Sequence, residues 1–393
     1  MVVEFGTEFV PELLGTIDLG PMQAGYDTGD PGDVVDQLTR AELLIGAAAG
    51  GAFGAALGAL PAFIFTGFLV IAGAFGGGGF GVGVGFGRVF GPHISFAAGA
   101  AAAAYAGSRG KMESGFAYHN GKDIGFALGS RPDILAVGAV FGILGLTFEQ
   151  ASRQLQLPVD PIPLSICISA ILHRAVFGYS IIGTVSEKTS GFFDMGPFER
   201  EETRPEGEVP GDGDGPGSER LAVEPWLGEM YRWSHVAAIG LVAGGAASFV
   251  AYRLILRLDP GLGVNAAFAV FGISAASLVF LNLGVARIPV THHMTLPAAT
   301  AFMATHEETI TTLTELDPSN ATFAAGLVPA LAIGILFGLL GALIGEVHQR
   351  IFYAHASTHF DPPAASIVVT TLIIALLAAA EVFTWGVWIP GTT

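Results

Sequence analysis

LLIGAAAGGAFGAALGALPAFIFTGFLVIAGAFGGGGFGVGVGFG, residues 43–87, holds no charged side chain. About 20 consecutive apolar residues cross the hydrocarbon layer of a bilayer as a helix, so this one stretch is long enough for two crossings. Residues 264–286 and 364–380 are likewise apolar and uncharged. A soluble globular chain carries roughly 25% charged residues, whereas these 393 residues carry 13% at a mean hydropathy of +0.60. A soluble fold would have to bury several such helices in one core. The pattern therefore predicts an all-α, polytopic transmembrane helix bundle whose first partner is the lipid bilayer.

Working outward, ten apolar segments can be placed at 41–60, 62–80, 84–107, 133–156, 163–185, 233–256, 264–286, 289–306, 322–352 and 364–388. Four stretches of the first five match four of the last five in the same order. AAGGAFG (48–54) pairs with VAGGAAS (242–248). Arg88 ahead of GPHISFAAGAAAA pairs with Arg287 ahead of THHMTLPAATA. VFGILGLTFEQASR pairs with LFGLLGALIGEVHQR, and VDPIPLSI (159–166) with FDPPAASI (360–367). The organisation read from this is an acidic N-terminal segment (1–40), a transmembrane repeat (41–185), an acidic Pro/Gly-rich linker (186–232), a second repeat (233–388) and a tail (389–393). The linker stretch EREETRPEGEVPGDGDGPGSER lacks apolar area to bury and is expected to pack loosely. Its aromatic flanks, SGFFDMGPF and VEPWLGEMYRW, suit the membrane surface or the protein.

Five segments per repeat would force the second copy to insert upside down, a recurring plan in transporters. Loop charge agrees with two homologous, inverted five-segment repeats. Loop 108–132 carries Arg109, Lys111, Lys122 and Arg131, whereas its counterpart carries Glu307, Glu308, Glu315 and Asp317 and no base. The positive-inside rule puts the first in the cytoplasm and the second outside. Arg253 and Arg257 run against this assignment. The competing plan turns the His-led third segments into short or broken, re-entrant helices and leaves both copies in one orientation.

The polar remainder is acidic, 34 Asp and Glu against 17 Lys and Arg. This deficit of bases excludes nucleic acid as a partner. Acidic loops on an Ala/Gly/Val-rich chain resemble the proteins of extreme halophiles, which points to the cell membrane of a halophilic archaeon. The single cysteine, Cys167, allows no disulfide within the chain and reads as a core residue.

Several motifs could carry chemistry. His93 with Ser95, and His292 and His293 with Thr295, open short runs of small residues. A helix starting at membrane depth offers free N–H groups and a positive dipole end to a solute; the same residues also suit tight helix packing. Asp160 and Asp361 precede proline and read as helix caps, or as acids at the mouth of a site. Glu149 with Arg153 and Glu346 with Arg350 are i,i+4 pairs. His173 and Arg174 sit midway along an apolar segment, where an Arg costs roughly 2.5–3.5 kcal/mol unless it is partnered; Glu149 or Glu346 is the expected partner. His355 and His359, near His348 and Asp361, are a candidate pair for a metal. The glycine-rich run 76–91 lacks the GK[ST] ending of a phosphate loop, and Phe80, Phe86 and Phe90 could narrow a pore. Trp385 and Trp388 read as an interfacial belt. No nucleophile–base pair or nucleotide motif stands out, so a non-enzymatic role without cofactor is expected. The leading expectation is a transporter or channel for a small polar solute or ion. The alternative is a scaffolding membrane protein assembled as a homo-oligomer.

Overall fold

The structure is a computed structural model and describes residues 40–76, 80–112, 120–205, 208, 220–256, 263–305 and 321–392. The acidic segment before residue 40 and most of the stretch 206–219 lie outside the described residues, as does the acidic loop 306–320.

The apolar runs fold as helices because in lipid every backbone N–H and C=O must be satisfied within the segment. The first half comprises α1 (Ala41–Leu57), α2 (Ala59–Gly76), α3 (Phe80–Gly85), α4 (Ser95–Ser108), α5 (Pro132–Gln154) and α6 (Pro161–Phe177). A single turn of helix, α7 (Gly196–Glu199), lies in the linker. The second half comprises α8 (Trp233–Ile255), α9 (Asn265–Asn282), α10 (His292–Ala304), α11 (Ala321–His348) and α12 (Pro362–Ala379). α11 runs on into a π-helical turn, Gln349–Tyr353. Among the described residues the β structure is one isolated bridge, Thr203–Leu221.

α5, α8, α9, α11 and α12 are each long and apolar enough to cross a membrane, and α1 and α2 form a sixth such unit bent by 119°. Their outward side chains, among them Ile45, Val140, Val242, Phe249, Val328 and Leu336, are large, apolar and exposed. A soluble monomer rarely shows so much apolar surface in contiguous patches, and the helices fit a multi-pass membrane protein. The bend falls at Gly58, whose φ of +91° an L side chain rarely adopts and where a Cβ would come within 2.7 Å of the Phe126 carbonyl oxygen. α4 and α10 have 14 and 13 residues. At 1.5 Å per residue they reach about 20 Å, short of the ~30 Å hydrocarbon layer, yet both are buried along almost their whole length.

Small residues set the close helix contacts. A Cβ on Gly51 of α1 would meet the Gly138 carbonyl oxygen of α5 at 2.2 Å, and one on Gly338 of α11 would meet the Gly244 Cα of α8 at 2.4 Å. Backbones approach this closely only where neither helix carries a side chain. α4 ends against α6: the Tyr179 hydroxyl donates to the Ala104 carbonyl at 2.9 Å. α10 ends against the chain that follows α12.

That last region departs from the sequence reading. The tenth segment was expected to run as one span to residue 388, but α12 stops at Ala379 and the chain folds back over α10. Trp385 Nε1 donates to the Met303 carbonyl at 3.0 Å and Trp388 Nε1 to the Thr300 hydroxyl at 3.1 Å. Buried indole N–H groups need acceptors, and α10 supplies them, so these tryptophans are docked rather than forming a belt. The aromatic flanks of the linker take the second of their two placements and dock on the protein: Met195, Val223 and Tyr231 form a buried cluster with Ala354. Arg220 donates to the Ala356 carbonyl at 2.7 Å and to the Ser357 hydroxyl at 3.0 Å. Cys167 is half-buried against the core.

Candidate functional site

Two helix starts bring carboxylates into the interior. Asp160 caps α6 by accepting from the Ile162 amide at 3.0 Å. Asp361 caps α12 by accepting from the Ala364 amide at 2.9 Å. Pro161 and Pro362 follow, at positions where a missing N–H is harmless. The Asp160 amide donates to the Thr371 hydroxyl of α12 at 3.0 Å, so the start of α6 leans on the body of α12. Both aspartates line an inner cavity of about 30 Å³, with Phe63, Pro92, Phe86 and His292 among its other walls.

A larger vestibule of about 510 Å³ adjoins it, and Phe63, His292 and Asp361 line both spaces. The Phe63 ring lies 4.8 Å from that of His292 and 5.8 Å from that of Phe271, centroid to centroid, forming an aromatic collar where the two meet. Around the vestibule, Phe96 and Trp226 supply apolar wall, and Lys122, Asp123, Asn282, Tyr353 and His359 supply polar groups. Lys122 is almost fully buried. Its Nζ contacts Glu224 at 2.8 Å and lies 4.6 Å from the Tyr353 ring centroid. Burial pushes the Lys122 ammonium down to about 8, against the opposing pull of Glu224.

His292, Asp160 and Asp361 are thus brought together, with His359 close to Asp361. Of the other described sequence candidates, Phe86 lines the inner cavity and the rest line neither. His293 sits edge-on to Trp226, ring centroids 6.1 Å apart. The Ser95 hydroxyl donates back to the Phe90 carbonyl at 3.3 Å and that of Thr295 to the His292 carbonyl at 3.4 Å, so both are spent within their own turns. Neither ring nitrogen of His93 or His173 has a hydrogen-bond partner among the described residues.

The acid–base pairs form as spaced. Glu149 accepts from Arg153 at 2.5 Å, from Arg88 at 3.0 Å and from Gln150 at 2.6 Å. Glu346 accepts from Arg350 at 2.6 Å and from Gln349 at 3.0 Å. Arg350 also donates to the Phe193 and Tyr231 carbonyls at 2.6 and 2.8 Å, tying α11 to the linker. Breaking one side of such a buried pair costs about 3–5 kcal/mol, so these clusters serve as anchors.

Arg174 corrects an expectation. Its hydrogen-bond partners are neutral: the Thr358 hydroxyl at 2.9 Å and the carbonyls of Thr358, Phe352 and Ile181 at 2.9, 2.8 and 2.6 Å. A planar fork of five donors can satisfy several carbonyls at once, and they come from the π-helical turn, the loop before α12 and the chain that follows α6. The histidines do not converge either. His355 contacts the Phe192 carbonyl at 3.5 Å and His348 the Ile344 carbonyl at 2.8 Å, while His359 faces Asp361 at 3.4 Å. Burial holds His355 down to about 4. Among the described residues no group of three His, Cys, Asp or Glu could hold a metal ion. Phe86 packs on Phe268 and Phe271, and Phe90 on Phe53 and Phe65, so these two rings do not meet in one constriction. The side chain of Phe80 lies outside the described residues.

The chain belongs to DUF7973, a family of unknown function. The family model matches residues 33–392, which takes in both halves, the linker and every cavity wall described above. No curated protein and no solved structure matches the chain. For a DUF7973 member the functional reading therefore rests on the site itself. Sequence reasoning missed Lys122, Asp123, Trp226, Asn282 and Tyr353. Lys122 and Trp226 were visible as a loop base and a linker aromatic, but nothing in one dimension joins residues 122, 226 and 353.

Proposed function

We propose that the protein is a membrane transporter for a small polar solute or ion rather than an enzyme or a scaffold. The solute enters the vestibule, passes the Phe63–His292 collar and reaches the inner cavity between Asp160 and Asp361. The observation that carries this reading is the adjacency of the two cavities. They share Phe63 from the first half with His292 and Asp361 from the second, so the path runs between the halves, where transporters with internal repeats hold their substrates.

We further propose that the halves are inverted repeats. Loop charge supports the inversion, and paired features support the repetition. Asp160 and Asp361 cap equivalent helices. The Thr66 hydroxyl donates to the Phe90 carbonyl at 2.5 Å ahead of α4, and Ser274 contacts Thr291 at 2.6 Å ahead of α10. A Cβ on Gly145 would strike the His93 carbonyl oxygen at 1.9 Å, and one on Gly341 the His293 carbonyl oxygen at 2.3 Å. By the positive-inside rule the vestibule, beside Lys122 and the linker, faces the cytoplasm.

The test combines access and flux. In a Cys167→Ala background, Val290→Cys and Leu281→Cys, both on the vestibule wall, are expected to react with a water-soluble, membrane-impermeant thiol reagent. Proteoliposomes are expected to take up a small polar solute. Unreactive positions together with vesicles tight to ions, sugars, amines and carboxylates would overturn the proposal and favour a scaffold.

A further inference from the structure

We propose that the transported solute is a small organic cation, an amine or guanidine whose head lodges between Asp160 and Asp361. This rests on the transport reading and names its substrate class. Helix N-termini ordinarily attract anions. Here both starts at the inner cavity are already occupied by carboxylates of the chain, Asp160 on the Ile162 amide at 3.0 Å and Asp361 on the Ala364 amide at 2.9 Å. What the cavity meets is the acid, not the open helix end. Lys122, the basic side chain on the vestibule wall, is paired with Glu224 at 2.8 Å rather than with either acid, and the side chain that meets Asp361 is an imidazole, His359, at 3.4 Å.

The remaining walls suit the same head. A cation over an aromatic face gains about 0.5–2 kcal/mol, most where water is excluded. Phe63, Trp226 and Tyr353 line the vestibule, and the Lys122 ammonium already rests 4.6 Å from the Tyr353 centroid, so this wall accepts a cation. His292 is 5% exposed and lines both cavities, and its Nδ1 has no hydrogen-bond partner among the described residues. A neutral imidazole offers one ring nitrogen as an acceptor, which complements an N–H-bearing head. Size agrees as well. The vestibule volume of about 510 Å³ falls in the range of roughly 300–1,000 Å³ typical of small-molecule sites. The inner 30 Å³ admits a group little larger than a water molecule.

The experiment is calorimetric titration of the purified full-length protein in detergent, with ethanolamine and agmatine as cationic probes, acetate as the anion and glycerol as the neutral solute. At least one cation is expected to bind, and Asp361→Asn to weaken it tenfold or more. Asparagine caps a helix as well as aspartate does, so the melting temperature of D361N should stay close to that of the parent. If D361N does not fold, Asp160→Asn makes the same comparison at the other carboxylate. Equal cation affinity in parent and variant, or binding of acetate or glycerol in preference to both cations, overturns the assignment. Flux separates the two proposals. Proteoliposomes that take up glycerol or acetate but neither cation leave transport standing and remove the substrate class. Vesicles that take up nothing, from protein that binds neither cation, remove both.

Discussion

Arg174 Nε donates to the Thr358 hydroxyl at 2.9 Å, joining α6 to the loop before α12 across 184 positions of sequence. The guanidinium is fully buried and also holds the carbonyls of Thr358, Phe352 and Ile181. Each buried carbonyl stripped of its donor costs about 1–3 kcal/mol. Arg174→Met is therefore expected to destabilise the protein by on the order of 4 kcal/mol, seen as a sharply lowered melting temperature in detergent or as loss of monodisperse protein. Arg174→Lys keeps the charge but not the fork and should recover only part of the loss. A melting temperature unchanged by R174M would mean that these bonds carry no weight.

Gly145 and Gly341 each let a helix pass over the carbonyl of a histidine at the start of a short helix. An added Cβ would lie 1.9 Å from the His93 oxygen in one case and 2.3 Å from the His293 oxygen in the other. Those obstacles are backbone and cannot swing away. Overpacking of this kind costs about 1–3 kcal/mol, and Gly145→Ala and Gly341→Ala are each expected to lower stability by that amount. Alanine is the better helix former by nearly 1 kcal/mol, so a rise in melting temperature for either variant would show that the contact is loose.

The apolar segments were legible because membrane helices must be long and uncharged, a condition read directly from residues 43–87. The Asp160 and Asp361 caps were legible because Asp-Pro before an apolar run has a local mechanism. Arg174 was legible as a buried charge, but its partners were not: the pattern supplies the cost of burial, whereas all its acceptors but the Ile181 carbonyl lie some 180 residues away, on Phe352 and Thr358. Trp388 was misread because the interfacial preference of tryptophan is a surface rule, and its indole found Thr300 inside the protein instead. The vestibule was hidden for the same reason. Lys122, Trp226 and Tyr353 come from a turn, the linker and a π-helical turn, and only packing brings them together.

Lys122 predicts a pH dependence of stability. In the folded chain burial brings it down to about 8, whereas an unfolded lysine titrates near 10.4. Below about pH 8 both states hold the proton and Lys122 adds no slope. Between about pH 8 and 10 the unfolded chain binds more protons, so this group makes stability rise with pH. Lys122→Met should remove that rise, measured as the difference between variant and parent melting temperatures from pH 7 to 10. A constant difference over that range would contradict the depressed value. Glu224→Gln leaves the ammonium buried without its counter-charge and should destabilise at neutral pH more than at pH 10.

Inverted repeats make a prediction about sides. Asn120 lies between α4 and α5, and Thr312 between α10 and α11 at the corresponding place in the second half. α4 ends beside Tyr179, which follows α6, whereas α10 ends beside Thr384, which follows α12. If the halves point in opposite directions, these two ends lie on opposite faces of the membrane. The loop charges agree, since bases stay in the cytoplasm and acidic loops pass more freely. In a Cys167→Ala background, Asn120→Cys should be labelled by an impermeant thiol reagent only after the cytoplasmic face is exposed, and Thr312→Cys in intact cells. Labelling of both from one face would sink the inverted arrangement. It would make α4 and α10 re-entrant elements of two repeats in a common orientation, and the inner cavity would then lie between parallel rather than opposed half-helices.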